Sequence, residues 1–418
     1  MKRNHVCRRD FLKLAGISSL AALGTEFIPS ETKAAIETVE PMKITKIEAV
    51  RFKGHSWTWV RLHTNNGIVG VGETYGNTDG NIGVLKNMSR MIIGQDPTEI
   101  ERLWRRLYFR NSQLNTGGAE MRIMAAVNCA QWDILGKAAG MPVYKLLGGK
   151  SQQKLRIYNT FTRGSNINNM QMETDTEKIT KFLLNRGITA IKIYPYGEVG
   201  NRTEGNYISP ADLDKCLDWV KRIRDTAGNE MDIAIDVMCR WNLPCALKIA
   251  SSLEPYNIMW LEDMLLPDNA QSYVVFARET SIPVCASERL ATRYEFRELL
   301  ESKAIDIAMF DIAWCGGISE AKKIADMADT YYIPIAPHDF EGPISWISAM
   351  HVSTAVTNFF ILETCYPRYT TTYPYFIKNV PVPVEGYITP PEKPGLGIEF
   401  REEPFENGDA IVETIAED

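Results

Sequence analysis

The sequence predicts an α/β barrel of parallel strands and helices, preceded by a smaller α+β module. The first observation is a period: apolar runs of strand length recur between residues 231 and 363, with 23 to 27 residues from the end of one run to the end of the next. Fully buried parallel strands are near-continuous apolar runs, and the segments between these runs have the length of helices. The second observation is that an ionisable residue ends each run, in the order Asp236, Glu262, Glu288, Asp311, His338 and Glu363. Because active-site groups of such barrels lie at the carboxyl ends of the strands, these side chains should converge on one mouth.

Residues 43–150 are predicted to form the α+β module. Three short runs, ITKIEAVRFKG, WTWVRLHTNNG and VGVGE, show alternating polarity and turn residues, which indicates an antiparallel meander. Helical segments follow, and the last, AEMRIMAAVNCAQWDILGKAAG, is apolar on nearly every face. We therefore expect that helix to be buried between the two modules, with Gly140 and Pro142 ending it.

The barrel is predicted over residues 151–368, with KLRIYNT and ITAIKIYPYG as its first two strands. A polar insertion rich in Gly and Asn, residues 196–209, follows the second strand. Loops of that length on the catalytic face are more often functional than accidental. Residues 369–418 are rich in proline and cannot form another strand–helix unit, so we expect them to return to the amino-terminal module.

Residues 1–35 are predicted to be an export signal, separate from the fold. The segment CRRDFLK at residues 7–13 resembles the twin-arginine motif, and a mildly apolar stretch follows it. Small residues near Ala34 and Ala35 would suit a cleavage site. This pattern predicts a periplasmic or otherwise exported protein, and an ordinary cytoplasmic amino terminus is the alternative.

Composition and charge argue against several function classes. The chain has 418 residues, 45% of them hydrophobic, and a formal net charge of −6, with no basic stripe to meet a nucleic-acid backbone. No apolar run approaches the length of a membrane-spanning helix. The eight cysteines include no C-x-x-C pair. A nucleic-acid partner, a membrane span and a zinc site are therefore not expected.

Three of the strand-end side chains predict a site for a hard cation. Asp236, Glu262 and Glu288 are spaced 26 residues apart, and oxygen ligands of this kind favour Mg2+ over zinc. Without a cation, three converging negative charges would repel and raise one another's pKa. The alternative is that each acid caps a helix or pairs with a nearby basic side chain, but capping does not require equal spacing.

His338 is the predicted general base. It ends the seventh strand, 27 residues after Asp311 ends the sixth, so neighbouring strands should present the two side by side. An aspartate that accepts a hydrogen bond from one imidazole nitrogen orients the ring and raises its basicity. A structural histidine bonded to a backbone carbonyl is the alternative.

Several motifs together resemble the mandelate racemase subgroup of the enolase superfamily. They are GIVGVGE, AAVNCAQWDILGKAAGMPVYKLLGG, the Asp236/Glu262/Glu288 series, DIAWCGGISEAKKIADMA, APHD and PGLGIEF, and they cover nearly everything after residue 35. The resemblance implies a modified (β/α)7β barrel with an α+β cap, bound Mg2+, and a dimer or octamer. It also implies that the His338–Asp311 pair removes the proton α to a carboxylate. A neutral Glu363 would hydrogen-bond that carboxylate, with an ion pair to Arg368 as the alternative.

Two departures from the subgroup's pattern point to one reaction. Strand 2 ends in Lys192-Ile193-Tyr194 where the subgroup usually has Lys-x-Lys, and a phenol is a poor base unless a cation such as Lys192 lowers its pKa. Lys192 could hold the substrate carboxylate and Tyr194 could act as a general acid, with packing at the barrel rim as the alternative. Met238 stands where several acid-sugar dehydratases have an acid histidine. One strong base favours β-elimination over racemisation.

Substrate recognition is predicted to come mainly from the cap. Residues 53–59 and 74–82 match the two mobile cap loops of the family, and their Trp, His, Asn and Asp content suits a polyol. Cap core is an equal alternative for the tryptophans of the first loop, and a surface ion pair is an equal alternative for Arg240. The candidate substrate contacts besides Lys192 are His55, Trp57, Arg240 and Trp314.

The sequence therefore predicts a Mg2+-dependent dehydratase that converts a sugar acid to a 2-keto-3-deoxy acid through an enediolate. An epimerase, racemase or cycloisomerase of a related acid shares the first step and stays open. A catalytically silent sugar-acid binder is the alternative from another class. The Asp311–His338 pair argues against a binder, because binding alone does not need a base.

Overall fold

The computed structural model of the chain contains a parallel barrel sheet, an antiparallel cap sheet and a short two-stranded sheet. The chain from Lys43 onward forms one compact unit. The predicted export signal, residues 1–35, lies outside the described residues. The structure describes residues 41–76, 78–110, 117–161, 166–339 and 341–417.

Strands and helices alternate through most of the described chain. The strands are β1 (Ile44–Phe52), β2 (Thr58–Thr64), β3 (Val69–Thr74), β4 (Leu155–Thr160), β5 (Asn166–Ile167), β6 (Met170–Gln171), β7 (Ala190–Ile193), β8 (Asp232–Asp236), β9 (Trp260–Glu262), β10 (Val284–Ala286), β11 (Ile307–Ala308), β12 (Leu362–Thr364), β13 (Tyr387–Ile388) and β14 (Ala410–Glu417). The helices are α1 (Thr78–Ile92), α2 (Ile100–Arg110), α3 (Gly118–Ala139), α4 (Val143–Leu146), α5 (Met172–Leu184), α6 (Gly197–Thr203), α7 (Pro210–Ala227), α8 (Leu243–Leu253), α9 (Ala270–Glu279), α10 (Thr292–Glu301), α11 (Ile312–Cys315), α12 (Ile318–Thr330), α13 (Pro343–Ala355) and α14 (Glu403–Glu406). None of the helices described here is long and apolar enough to cross a bilayer.

The barrel sheet runs in the order β11-β10-β9-β8-β7-β4-β12, with all of these strands parallel. Isolated parallel bridges join Ala308 of β11 to Ile335, and Ile335 to Phe359 just before β12. The segment around Ile335 therefore fills the position between β11 and β12 and closes the ring. The predicted fold class, a modified (β/α)7β barrel with an α+β cap, is confirmed.

A layer of buried side chains lies inside the barrel below the site, and nearly every strand of the ring contributes a residue to it. Side chains two residues apart on an extended segment point the same way, so the residue two places after a member of the layer lies one step nearer the mouth. The layer consists of Tyr158, Ala190, Ala234, Trp260, Cys285, Ile307, Met309, Ala336 and Ile361. The residues that follow a layer member by two places include Lys192, Asp236, Glu262, Asp311, His338 and Glu363. This register gathers the ionisable side chains at one depth.

The cap sheet has the order β14-β1-β2-β3, and all three pairings are antiparallel. The predicted three-stranded meander is thus joined by β14, whose pairing with β1 brings residues 410–417 back to the cap. Helix α3 lies directly on β3: a Cβ atom at Gly72 would come within 1.9 Å of the Ala126 carbonyl oxygen. Only glycine permits that close approach, which is why the VGVGE run alternates with glycine.

Residues 196–209 differ from the loop expected there. Their first half is helix α6, and Glu204 (φ 51°) and Gly205 (φ 68°) end it in the left-handed conformation. The Gly205 amide bonds the Gly200 carbonyl at 3.0 Å. A Cβ at Gly205 would lie 1.7 Å from the Arg240 carbonyl oxygen. The glycines that suggested an irregular loop instead end a helix and seat it against the segment after β8.

Candidate active site

The three predicted metal ligands lie together at the carboxyl end of the barrel. Asp236 and Glu262 are the last residues of β8 and β9, and Glu288 comes two residues after β10. One carboxylate oxygen from each lies within 4.8 Å of the other two. Ligand oxygens at about 2.1 Å from Mg2+ are about 3 Å apart when adjacent and about 4.2 Å apart when opposite. The donor set therefore suits a hard divalent cation after small side-chain movements.

Lys192 places a positive charge among these carboxylates. Its side chain is fully buried, and Nζ lies 2.6 Å from Glu262 Oε1, 3.0 Å from Glu363 Oε1 and 3.7 Å from Asp236 Oδ2. Burial lowers the pKa of Lys192, but Glu262 and Glu363 outweigh burial and hold it well above its usual value. The ammonium thus offsets part of the repulsion among the acids. The role of Lys192 toward a substrate carboxylate stays a prediction.

Burial has different consequences for the three ligand carboxylates. It raises the pKa of Asp236 and that of Glu262, with Lys192 opposing the rise in both. Burial also raises the pKa of Glu288, but the adjacent His338 imidazole outweighs it and brings that pKa to about 2. Glu288 is therefore the most readily ionised of the three, and it faces the histidine.

His338 and Asp311 form the predicted pair, joined by a parallel bridge between their backbones. His338 Nδ1 lies 2.7 Å from Asp311 Oδ2, and the Ala313 amide donates to Asp311 Oδ1 at 2.7 Å. His338 Nε2 lies 2.9 Å from Glu288 Oε2, on the side of the metal ligands. Burial lowers the pKa of His338, but Glu288 and Glu363 hold it well above its usual value. Since Nδ1 is held by Asp311, Nε2 is the nitrogen available for proton transfer.

Tyr75, which the sequence analysis did not single out, completes this pair from the cap. Its hydroxyl donates to Asp311 Oδ2 at 2.7 Å, the same oxygen that His338 contacts. Burial raises the pKa of Tyr75 well above its usual value, with Asp311 adding to the effect, so the phenol remains a donor. The backbone carbonyl of Tyr75 accepts from Arg122 of α3 at 3.3 Å, and the Arg122 guanidinium lies 4.0 Å from the Trp314 ring centroid. The only sequence signal was the position of Tyr75 in the 74–82 loop.

Substitution of Tyr75 by phenylalanine should lower kcat more than it changes KM. The Asp311 carboxylate would lose a hydrogen bond, and bonds to charged groups contribute about 1.5–3 kcal/mol, so we expect kcat to fall by about tenfold or more. Steady-state kinetics would measure the split. Tyr332→Phe is the control, because Tyr332 is 96% exposed and is not among the described residues that line the cavity. Equal kcat in Tyr75→Phe and the wild type would contradict a positioning role.

Glu363 lies within β12 and is fully buried. The Thr160 hydroxyl donates to Oε1, and the Asp339 amide donates to Oε2 at 2.9 Å. Burial raises the pKa of Glu363, but Lys192 and His338 beside it bring the pKa below its usual value. In this arrangement the two cationic neighbours outweigh burial and favour the ionised form, whereas the neutral Glu363 that would hydrogen-bond a substrate carboxylate stays a prediction.

Tyr194 directly follows β7 and lines the cavity at the mouth of the barrel. Burial raises its pKa well above the usual value, and Asp236, Glu262 and Glu363 add to the rise, whereas Lys192 alone opposes it. Lys192 therefore does not make Tyr194 a base. A protonated phenol fits the predicted role of a hydrogen-bond donor or general acid.

A cavity of about 1110 Å³ opens at this end of the barrel. His338, Glu288, Tyr194 and Tyr75 line its inner end, and of the predicted substrate contacts Arg240 and Trp314 line it as well. The other three predicted contacts are not among the described lining residues: Lys192 is fully buried among the carboxylates, and His55 and Trp57 lie in the cap.

His55 and Trp57 pack in the cap instead. Their rings lie 4.0 Å apart between centroids, both contact Phe376, and the Arg368 guanidinium lies 5.5 Å from the Trp57 ring centroid. Trp57 is only 1% exposed. Trp57 therefore packs in the core of the cap, as the alternative prediction had it, because the carboxyl-terminal segment that carries Phe376 covers its indole.

Comparisons with known proteins agree with this arrangement. The description "Mandelate racemase / muconate lactonizing enzyme, N-terminal domain" matches residues 32–148, and "Enolase C-terminal domain-like" matches residues 175–404. The chain is 30% identical to a D-xylonate dehydratase of Haloferax volcanii over 368 residues, which is 86% of this chain and 87% of the relative. It is 31% identical to a D-galactonate dehydratase of Pectobacterium atrosepticum over 369 residues, 87% of this chain and 93% of the relative.

Solved structures give the same relationship. An enolase of the mandelate racemase subgroup from Agrobacterium tumefaciens superposes with a TM-score of 0.82 at 35% identity, covering 90% of this chain and 99% of the other. A member of the enolase superfamily from Salmonella Typhimurium superposes with a TM-score of 0.84 at 30% identity, covering 90% of this chain and all of the other. The chain belongs to the mandelate racemase / muconate lactonizing enzyme family of the enolase superfamily.

Proposed function

We propose that the chain is a Mg2+-dependent dehydratase of a sugar acid. One observation carries the proposal: a histidine held by an aspartate lies on the cavity wall beside three converging carboxylates, while the strand on another side of the barrel ends in a protonated phenol. This arrangement supplies one base for the α-proton. The similarity to D-xylonate and D-galactonate dehydratases supports the same reaction class.

Proton removal falls to His338 in this proposal. Glu288 and Glu363 favour the protonated ring, so a cation held by Glu288 would lower the pKa of His338 and release Nε2. Nε2 of the neutral ring then takes the proton from carbon 2, and the electron pair left behind forms the enediolate with the carboxylate carbon. Asp311 keeps Nδ1 protonated and fixes the ring, and Tyr75 fixes Asp311. Asp236, Glu262 and Glu288 would hold Mg2+, whose charge would stabilise negative charge developing on the substrate carboxylate. Lys192, which lies 2.6 Å from Glu262, adds a second positive charge among these ligands.

Loss of water completes the reaction. The enediolate electron pair forms the double bond between carbons 2 and 3, and the hydroxyl group on carbon 3 leaves with a proton from the His338 imidazolium or from the Tyr194 phenol. The resulting enol takes a solvent proton at carbon 3, releases its hydroxyl proton from the oxygen on carbon 2 to solvent, and becomes the 2-keto-3-deoxy acid. Burial keeps the Tyr194 phenol protonated, which supports a donor role at this step.

Proton NMR in D2O tests the proposal directly. The protein with Mg2+ would be incubated with pentonates, hexonates, uronates and aldarates. A dehydratase gives a 2-keto-3-deoxy product carrying one deuterium at carbon 3. Deuterium at carbon 2 without loss of water would replace the proposal with an epimerase. Absence of exchange with every acid, despite bound metal, would favour a binder.

Tyr194→Phe distinguishes the one-base from the two-base reaction. In a dehydratase that relies on His338, the wild type and the variant should exchange the carbon-2 proton of the same single epimer of a substrate pair. A two-base epimerase would exchange both epimers and would lose exchange with only one of them in the variant. Exchange is measured by NMR on both carbon-2 epimers. Phenylalanine keeps the ring and removes only the hydroxyl.

A further inference from the structure

The cavity extends well beyond the space that the reaction needs. Past Tyr194 it continues along α6 and between α6, the start of α5 and the first half of α7. We refer to this outer part as the distal cleft; its described lining includes Glu173, Glu198, Asp214, Lys215, Asp218 and Trp219. The proposed reaction uses none of these side chains.

The volume of the cavity exceeds the volume that a small sugar acid would occupy. A six-carbon sugar acid would fill at most about 400 Å³, even if each of its roughly 13 non-hydrogen atoms took the ~30 Å³ that a water molecule takes in the liquid. The cavity measures about 1110 Å³. An acid with one additional sugar ring has roughly 24 non-hydrogen atoms and on the same generous scale takes about 700 Å³. The cavity therefore accommodates a disaccharide-sized ligand.

The direction of the cavity fixes where such a ring would be attached. The carboxylate and carbons 2 and 3 must lie beside His338 and the metal ligands, because the reacting bonds are there. Tyr194 and Pro195 lead directly from that end to Gly197 and Glu198 of α6, and all four line the cavity. A carbon chain that continues past Tyr194 and Pro195 reaches the distal cleft, so a substituent bound there would be carried on carbon 4 or beyond.

The chemistry of the distal cleft favours an uncharged sugar. Trp219 is half-buried and lines the cleft, and the four carboxylates of the cleft can accept hydrogen bonds from hydroxyl groups. The single described lysine of the cleft, Lys215, lies 3.8 Å from Glu198. Asp218 lies 3.5 Å from Arg222. Glu198 and Asp218 therefore each have a basic neighbour, and Glu173 and Asp214 supply the negative charge that would repel a second negative charge on the ligand.

We propose that the distal cleft binds a neutral glycosyl group, so that the preferred substrates are aldonic acids glycosylated at carbon 4 or beyond. This inference rests on the proposed dehydratase function and names the substrate class of that site. It differs from that function in what it predicts about size and charge at the outer end of the substrate.

The first test compares lactobionate, cellobionate and maltobionate with gluconate and galactonate as substrates of the Mg2+-loaded protein. We expect kcat/KM for at least one of the glycosylated acids to exceed that of its unsubstituted parent by tenfold or more. Trp219→Ala should lower the ratio of the two kcat/KM values by at least tenfold, and Trp219→Phe should retain most of it. Tyr332→Ala, which removes a fully exposed ring elsewhere, should leave the ratio unchanged.

A charge variant keeps the inference testable if Trp219→Ala does not fold. Asp214 is exposed on α7, so Asp214→Lys should not disturb the core. We expect this variant to shift preference toward an aldonate carrying a glucuronosyl group and away from its glucosyl counterpart by several-fold. An unchanged preference would contradict binding in the distal cleft.

Failure of glycosyl binding in the distal cleft and failure of the proposed dehydratase function would give different results. Turnover of unsubstituted acids equal to or better than that of every glycosylated acid, with Trp219→Ala affecting both alike, would overturn the inference and leave the dehydratase intact. Turnover of no acid at all would overturn the proposed function. A segment of a second copy of the chain filling the cleft would appear as rejection of all glycosylated acids, and that result also overturns the inference.

Discussion

Substitution of His338 by asparagine is expected to abolish most of the proton exchange and all detectable dehydration. General base catalysis by a positioned side chain contributes about 10²–10⁴-fold, and the described structure offers no second imidazole at the cavity wall that could replace His338. Asparagine retains the size and a donor toward Asp311 but cannot accept the carbon-2 proton. The measurement is the rate of deuterium incorporation at carbon 2 in D2O, alongside formation of the keto acid.

His63→Asn is the matched control for that variant. His63 lies on β2 of the cap with Nε2 2.8 Å from Glu48 Oε2, is partly exposed, and is not among the described residues that line the cavity. The control should exchange at the wild-type rate. Mg2+ should still stabilise His338→Asn against thermal unfolding, because all three ligand carboxylates remain. Retention of more than about a tenth of the wild-type exchange rate would reassign the base, since it lies outside the range for a lost general base.

The positions of the strand-end residues were predictable because their causes are local. A buried parallel strand must be apolar, a strand–helix unit has a nearly fixed length, and the first polar residue after the apolar run must lie at the mouth. Asp236 follows Ala234 and Glu262 follows Trp260 by two residues, which places both above the same packed layer. Period and register therefore located the candidate metal ligands from the sequence alone.

Other features depend on contacts between residues distant in sequence. Tyr75 and Asp311 are 236 residues apart, and no pattern in either segment indicates that a cap phenol bonds the aspartate of the barrel. The pairing of β1 with β14 joins the two ends of the described chain. The ionisation of Glu363 depends on the balance between burial and the charges of Lys192 and His338. Composition cannot give the sign of that balance, because it depends on distances of a few ångströms.

Residue type alone likewise could not decide whether Trp57 contacts the substrate or packs in the core of the cap. Trp57 is an aromatic residue in a loop that matches a mobile substrate-closing loop, and an exposed indole there would suit ligand binding. In the structure Phe376 and Arg368 cover it. Both residues follow β12, the last strand of the barrel ring, in the sequence. Tyr75 and Trp314 are then the aromatic residues by which the cap and the α11 segment line the cavity.

Asp236→Asn is expected to remove activity by weakening metal binding without unfolding the protein. Mg2+ at 100 times its dissociation constant stabilises a protein by about 2.7 kcal/mol, and a hundredfold loss of affinity would reduce that to about 0.4 kcal/mol. Asparagine keeps the oxygen that accepts the Met238 amide at 2.7 Å. Removal of the charge also removes the cost of its burial and its repulsion with Glu288, which in the metal-free protein outweigh its attraction to Lys192. The variant without Mg2+ should therefore be at least as stable as the wild type.

Thermal unfolding with and without Mg2+, combined with turnover, separates metal loss from unfolding. The wild type should gain several degrees in Tm on adding Mg2+ and lose turnover after dialysis against a chelator, and Asp236→Asn should show neither gain nor turnover. Glu279→Gln on the exposed surface of α9 removes one carboxylate outside the site and should behave as the wild type does. A variant that keeps the full Mg2+-dependent rise in Tm would place the ion elsewhere. A variant that is less stable than the wild type without Mg2+ would mean that the attraction between Asp236 and the Lys192 ammonium, 3.7 Å apart, contributes more to stability than removal of the buried charge restores.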